Sequence, residues 1–377
     1  MGKNIGIITY HSAYNFGSVL QAYATEKALE SLGYNAQILN YRMQSQYDYY
    51  SMLHTNRGVK GFIKDLLHLP QMGQYIQRKR RFEAFISQMN LTEEFREPDE
   101  ALAYANAFDV FISGSDQIWN KHSNELISVD WKYMDPYLLT FTSQKKVSYA
   151  SSIVNMTTEE LKRIADKIKE FDSISFREPE SCNRLLQTAG IQSDFVLDPT
   201  LLLREQDWEK VTGELPAEVK DKRYILYYAL EGVKKTNAIM PALRQFAERR
   251  DCALVTITPL SFSMNGKNVY NMIGAGPEEF LSLICHAELV LTNSYHGTLF
   301  SVNLGVPFYT LRPSDSKDNR IPSILSLLKL ENRIVTSLND IPDGISKVDF
   351  GEAWKHREIY RDKSILYLKK AIGGTDA

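Results

Sequence analysis

The sequence predicts an α/β fold of two parallel-sheet domains facing a central cleft. Three observations point there. At 377 residues the chain exceeds what one hydrophobic core usually fills. Apolar strand-like runs alternate with helical periodicity in each half of the chain. Between the halves, Asp198-Pro199-Thr200 interrupts strand pairing, and a charged, polar segment follows through Lys222.

The elements follow in order. An apolar run Ile5 to Tyr10, an amphipathic stretch Val19 to Leu32 closed by Gly33, and a second run Ala36 to Tyr41 form a βαβ unit. A Tyr-rich, basic interval from Tyr47 to Asn90 reads as an insertion of the first domain, with Gln77 to Phe85 helical and bearing Arg78-Lys79-Arg80-Arg81. Strands return at Asp109 to Ser113 and Lys146 to Ala150, and a Thr157…Glu160 capping box then opens a helix. Short strands at Ser173 to Phe176 and Phe195 to Leu197 complete the half. The second half gives strand Tyr224 to Ala229, helix Ala238 to Arg249, strand Ala253 to Thr258, helix Pro277 to Ala287 and strand Glu288 to Thr292. A terminal stretch, Trp354 to Ala371, has helical spacing and is expected to pack back on one domain. The expected domains are residues 1–198, with a helical insertion over about 47–100, and 199–345, followed by the terminal helix in 346–377.

Composition narrows the function. Hydrophobic residues make up 44% and charged residues 24%, enough apolar surface for two cores. The 44 basic and 46 acidic residues nearly cancel, leaving no field that would draw the chain to nucleic acid. Cys182, Cys252 and Cys285 lie far apart without metal-ligand spacing, so reduced thiols and no metal site are expected. The N-terminus lacks a secretory signal pattern and no segment reaches about 18 uninterrupted apolar residues, which predicts a cytoplasmic protein.

Ligands of open α/β sheets bind at strand carboxyl ends, so the loops there hold the candidate site. In His11-Ser12-Ala13-Tyr14-Asn15-Phe16-Gly17-Ser18, Asn15, Gly17 and Ser18 can present polar groups and helix N–H groups to a sugar or anion, or simply cap the helix. Ser113 to Asn120 offers Asp116 and Gln117 for hydrogen bonds and Trp119 for stacking on a pyranose, against a cap and a core role. Arg177 follows an apolar strand as a fork suited to carboxylate or phosphate, with a salt bridge to Glu178 as the alternative. In Val290 to Phe300, His296 falls at a helix N-terminus beside a strand end, where an imidazole can trade protons and Ser294, Gly297 and Thr298 line an anion-binding turn, with a structural, hydrogen-bonded histidine as the alternative. The charged loop Arg312 to Arg320 reads as solvated, apart from Arg320 at the head of helix Ile321 to Leu328.

Taken in order, IGIITYHSAYNFGSVLQAYA, FISGSDQIWN, SYASS, ISFREPES, VLDPTLLL and LTNSYHGTLFSVNLGVPF resemble the polysaccharide pyruvyl transferase family across nearly the whole chain. The resemblance implies two Rossmann-like domains in a glycosyltransferase-B-like pair. It implies transfer of a pyruvyl ketal from phosphoenolpyruvate, a co-substrate rather than a bound cofactor, to a saccharide acceptor in capsule or exopolysaccharide assembly. His296 is then the acid/base residue, Arg177, Ser294, Gly297, Thr298 and Arg320 the donor side, and Asn15, Gly17, Ser18, Asp116 and Gln117 the acceptor side. Relatives carry Arg-Leu-His where this chain has Ser294-Tyr295-His296, so the resemblance leaves two alternatives: Arg312, Lys317 or Arg320 of the following loop replaces that guanidinium, or the donor is a different anion.

A lipid-linked acceptor and peripheral contact with the inner membrane face are expected from the basic interval, with a solvated helix face as the plainer account. A nucleotide-sugar glycosyltransferase and a non-catalytic saccharide-binding protein are the competing readings of the same architecture.

Overall fold

The first strand, β1 (Asn4–Ile8), is buried from Ile5 onward and leads through a polar loop into helix α1 (Phe16–Ser31). The computed structural model describes residues 2–50, 71–258, 266–316, 318–344 and 348–373. Contacts divide the chain into two units. One comprises Met1–Ser51, Ile86–Leu203 and Arg357–Ala377, and the other Met52–Phe85 and Arg204–His356.

In the first unit, α1 is followed by β2 (Asn35–Ile38) and α2 (Gln44–Tyr50). The chain then runs through α3 (Met72–Ile86) and returns with β3 (Val110–Asp116) and β4 (Lys145–Ser151). Helix α4 (Thr158–Ile168) begins at the expected Thr157/Glu160 capping box, and β5 (Ser175–Phe176), α5 (Pro179–Ala189) and β6 (Asp194–Phe195) complete the layer. The six strands lie in the order β2-β1-β3-β4-β5-β6, all parallel. The order reverses between β1 and β3, which makes their carboxyl ends the topological switch point. Helix α1 is buried on most of its surface rather than along one stripe, because the Asp198-Pro199-Thr200 turn covers the side away from the sheet. Gly33 follows it with φ +84°, a left-handed conformation that ends the helix at little cost.

The second unit holds α6 (Glu205–Glu209), β7 (Tyr224–Tyr228), α7 (Val233–Glu248), β8 (Ala253–Thr256) and β9 (Val269–Asn271). Then come α8 (Pro277–Cys285), β10 (Leu289–Thr292), α9 (Tyr295–Asn303), β11 (Phe308–Leu311), α10 (Arg320–Leu327) and β12 (Ile334–Val335). The order β12-β11-β10-β7-β8-β9 is parallel throughout, with its switch point between β7 and β10. Both units are therefore Rossmann-like, and β7 reads YILYY with every residue buried, as a strand covered on both faces must.

Helix α3 differs from its expected place. Residues 71–85 group with the second unit, not with the first domain of which the sequence reads them as an insertion. The seat is made by Gly274 and Gly276: a Cβ on the former would meet the Gln77 amide oxygen at 2.9 Å, and on the latter the Arg81 Cβ at 2.4 Å. Arg81 locks the contact, donating to the Gly274 carbonyl at 2.9 Å and pairing with Glu279 at 2.9 Å. The last helix, α11 (Gly351–Ile372), starts in the second unit, where Trp354 donates to the Val302 carbonyl, and belongs to the first from Arg357. There Ser364 accepts from the Leu197 N–H and Tyr367 donates to the Ser148 carbonyl. No helix among the described residues is long and apolar enough to cross a membrane.

Candidate active site

The switch point of the second sheet is stapled by side chains. The Thr292 hydroxyl, at the end of β10, donates to the Tyr228 carbonyl at 2.6 Å and accepts from the Ser294 N–H at 3.0 Å. Asn293 accepts from the Leu230 N–H at 2.8 Å, which ties the loop after β7 to the loop after β10. Ser294 caps α9, its Oγ accepting from the Gly297 N–H, so His296 stands in the first helical turn. His296 is 8% exposed, and its ring meets Tyr295 edge to face at 5.3 Å. Around it lie first-turn N–H groups, the positive end of the helix dipole.

The two residues after His296 have different duties. Gly297 is required by space: a Cβ would lie 2.6 Å from Thr292 Oγ1 and 3.0 Å from the Tyr228 ring. Thr298 is fully buried, donating to the Ser294 carbonyl and bonded to the Thr310 hydroxyl. That hydroxyl has no exposed surface and is spent on holding the turn.

Arg320 heads α10 and is gripped by Asp318, with Nε and Nη2 donating to the carboxylate at 3.0 and 2.6 Å. Its guanidinium stands 5.7 Å from the Tyr295 ring centre, which brings a cation to the residue preceding His296. Arg312 is spent differently. It donates to the Ser316 and Asp318 carbonyls and to the Asn319 side chain, folding the loop rather than serving a donor. Lys317 lies outside the described residues.

In the first unit Asn15 caps α1, accepting from the N–H groups of Gly17 and Ser18 at 2.9 and 3.3 Å. The cap reading of this loop is therefore realised, and it spends the Asn15 oxygen and the Gly17 N–H on the helix. Asp116, at the end of β3, has φ +73°, a left-handed conformation rare for a side chain other than Gly, Asn or Asp. Ser18 donates to its Oδ2 at 2.7 Å, while its Oδ1 accepts from the Gln117 N–H at 2.9 Å and from Arg177 at 3.1 Å. Gln117 is half-buried and accepts from Asn120.

Arg177 and Trp119 are corrected by burial. The Arg177 guanidinium has no exposed surface and binds Asp116, Glu178 and Asp198. It neutralises this carboxylate cluster instead of reaching for an anionic donor, and acts as a positioning residue for Asp116. Trp119 is fully buried and donates to the Tyr137 carbonyl at 3.0 Å, a core residue rather than a platform for a sugar.

Tyr228, which the sequence did not single out, lies at the second unit's switch point. Tyr228 ends β7, and burial pushes its phenol up to about 12, against the lowering effects of the Arg78 charge and of the Ser294 side chain. Arg78 comes from α3 and donates to the Ala275 and Ile273 carbonyls. The glycines of Ile273-Gly274-Ala275-Gly276 were the available signal, since such spacing marks a close backbone approach.

The model of one family, described as Polysaccharide pyruvyl transferase, matches residues 15–315, well over half of the chain. The chain belongs to the polysaccharide pyruvyl transferase family. The match takes in Asn15, the Asp116 turn, Arg177 and the His296 helix start. No curated protein matches this family member. Among solved structures, a Listeria monocytogenes protein assigned as a UDP-N-acetylglucosamine 2-epimerase is similar at a TM-score of 0.56 and 11% identity, over 100% of this chain and 98% of its own. A second UDP-N-acetylglucosamine 2-epimerase is similar at 0.51 and 11% identity, over 100% and 97%. MnaA of S. aureus, solved with UDP, is similar at 0.50 and 10% identity, over 97% and 90%. At such identities the likeness is one of fold, the pair of Rossmann-like domains typical of glycosyltransferase-B-like proteins.

Proposed function

We propose that this pyruvyl transferase family member moves the pyruvyl unit of phosphoenolpyruvate onto two hydroxyls of a saccharide as a ketal. The observation that carries the reading is His296 in the first turn of α9, at the switch point of its sheet and inside the residues the family model covers. Protonation of the enol methylene turns it into a methyl group and leaves the adjoining carbon electrophilic. One acceptor hydroxyl attacks that carbon, phosphate leaves, and the second hydroxyl closes the ketal. Of the two hydroxyl protons, one replaces the proton given to the methyl group and the other departs with phosphate. The first-turn N–H groups of α9 and Arg320 are suited to the departing phosphate.

The saccharide side of the proposal is Asp116 with Ser18 and Gln117. A carboxylate at a strand end, oriented by a serine and an arginine, suits sugar hydroxyls. A lipid-linked acceptor at the inner membrane face would meet Lys79 and Arg80, the exposed members of the basic run.

The test is phosphate release from phosphoenolpyruvate by wild type and His296→Ala, with galactose-, mannose- and glucosamine-containing acceptors, lipid-linked ones included. Acceptor-dependent release that collapses in the variant is expected. Release only from a nucleotide sugar, or full activity in His296→Ala, would sink the reading.

A further inference from the structure

We propose that the cleft between helix α3 and the end of β9 is a binding site for neutral sugar units that do not themselves react. The proposal goes beyond the ketal reading and holds for any chemistry on a glycan. The cleft measures about 680 Å³, within the roughly 300–1,000 Å³ of small-ligand sites, and its lining residues all belong to the second unit. One wall is α3, which contributes Gln74 and Gln77, a helical turn apart on one side. The opposite wall is Tyr270-Asn271 at the end of β9. Gly274 brings the walls together: a Cβ there would stand 2.9 Å from Gln77 Oε1 and 3.3 Å from the Gln74 carbonyl.

This lining offers hydrogen bonds without an unmatched positive charge. The side-chain amides of Gln74 and Gln77 have no hydrogen-bond partner among the described residues. Asn271 spends its oxygen on the Thr256 hydroxyl at 3.2 Å, which leaves its two N–H donors for a ligand. Each glutamine amide both donates and accepts, the complement of a sugar hydroxyl, which does the same. Tyr270 adds an aromatic body with a polar tip, and the Lys222 ammonium stands 5.2 Å from its ring centre. Of the charged lining residues, Arg81 is matched by Glu279 at 2.9 Å, and Glu218 is a carboxylate that disfavours phosphate. A neutral polyhydroxyl ligand fits this set better than the anionic donor does. Because β9, β8, β7 and β10 run parallel, the cleft lies at the sheet edge that carries His296, three strand spacings or about 14 Å away. That reach suits an oligosaccharide, in which one unit is gripped while another is the reacting sugar.

The experiment is calorimetric titration of neutral tetrasaccharides of galactose, mannose and N-acetylglucosamine, and separately of uridine. The proteins are wild type, the double variant Gln74→Ala/Gln77→Ala, Tyr270→Ala, and Lys79→Gln, an exposed position of α3 that serves as control. Thermal unfolding is recorded for each. The expected result is that wild type and Lys79→Gln bind a tetrasaccharide alike, while the double variant and Tyr270→Ala bind it about tenfold more weakly at unchanged unfolding temperature. Equal binding by the double variant and wild type overturns the proposal, as does the absence of tetrasaccharide binding by wild type. Binding of uridine alone, lost in the same variants, assigns the cleft to a nucleobase and overturns it too. Should Tyr270→Ala fail to fold, the glutamine pair decides, since both side chains are exposed. Phosphate release from phosphoenolpyruvate by the same proteins tests the ketal reading separately, because that reaction can proceed without this cleft.

Discussion

Arg177 and Asp198 pair at 2.8 Å with no exposed surface on either side chain, and Asp116 and Glu178 share the same guanidinium. Removing the arginine would leave buried carboxylates without a counter-charge. Arg177→Met should lower stability by about 3–5 kcal/mol, read from urea denaturation. A loss under about 1 kcal/mol would mean that the cluster relaxes into solvent.

Gly297 has no room for a methyl group beside Thr292 and Tyr228. Gly297→Ala should cost about 1–3 kcal/mol as the start of α9 shifts, and phosphate release should fall further than the stability loss explains, because His296 is carried on the same turn. Full activity with wild-type stability would show that the turn adapts.

Arg320 is held by both oxygens of Asp318 above the Tyr295 ring. Arg320→Ala should weaken phosphoenolpyruvate binding about tenfold by calorimetry, and Asp318→Asn should weaken it less, since the cation remains but loses its anchor. Unchanged affinity in Arg320→Ala would remove this residue from the donor side.

Burial pushes the Cys285 thiol up from 9.0 to about 11. The folded state therefore holds this proton where the unfolded chain releases it, so the stabilising contribution is complete below pH 9 and is lost as pH rises toward 11. The loss should approach about 2 kcal/mol, and Cys285→Ser should flatten that part of the urea-midpoint profile. A profile identical to wild type would assign the alkaline slope to other groups, such as Tyr228.

Much of the fold was legible because parallel strands buried on both faces read as apolar runs: β1, β7 and β10 stand out for that reason. β9 and β12 span three and two residues, too short for any periodicity. The His296 turn was legible because a polar stretch follows an apolar strand directly. Of the carboxylates around Arg177, the neighbouring Glu178 was legible as a partner, whereas Asp116 and Asp198 lie far from it in sequence. The seat of Arg78 was not legible for a similar reason: its local run describes a basic helix face, while its neighbours Ile273 and Ala275 lie 195 and 197 residues away.

That separation bears on how the protein is made. At synthesis rates of 5–20 residues per second, the α3 segment leaves the ribosome roughly 10–40 s before the glycine seat at Gly274 and Gly276 exists. Its arginines must wait in an unfinished chain, and the second unit cannot close as it emerges in sequence. Nascent-chain lengths that end before residue 273 should hold α3 protease-accessible, which places a late, long-range docking step on the folding route of the very unit that carries His296.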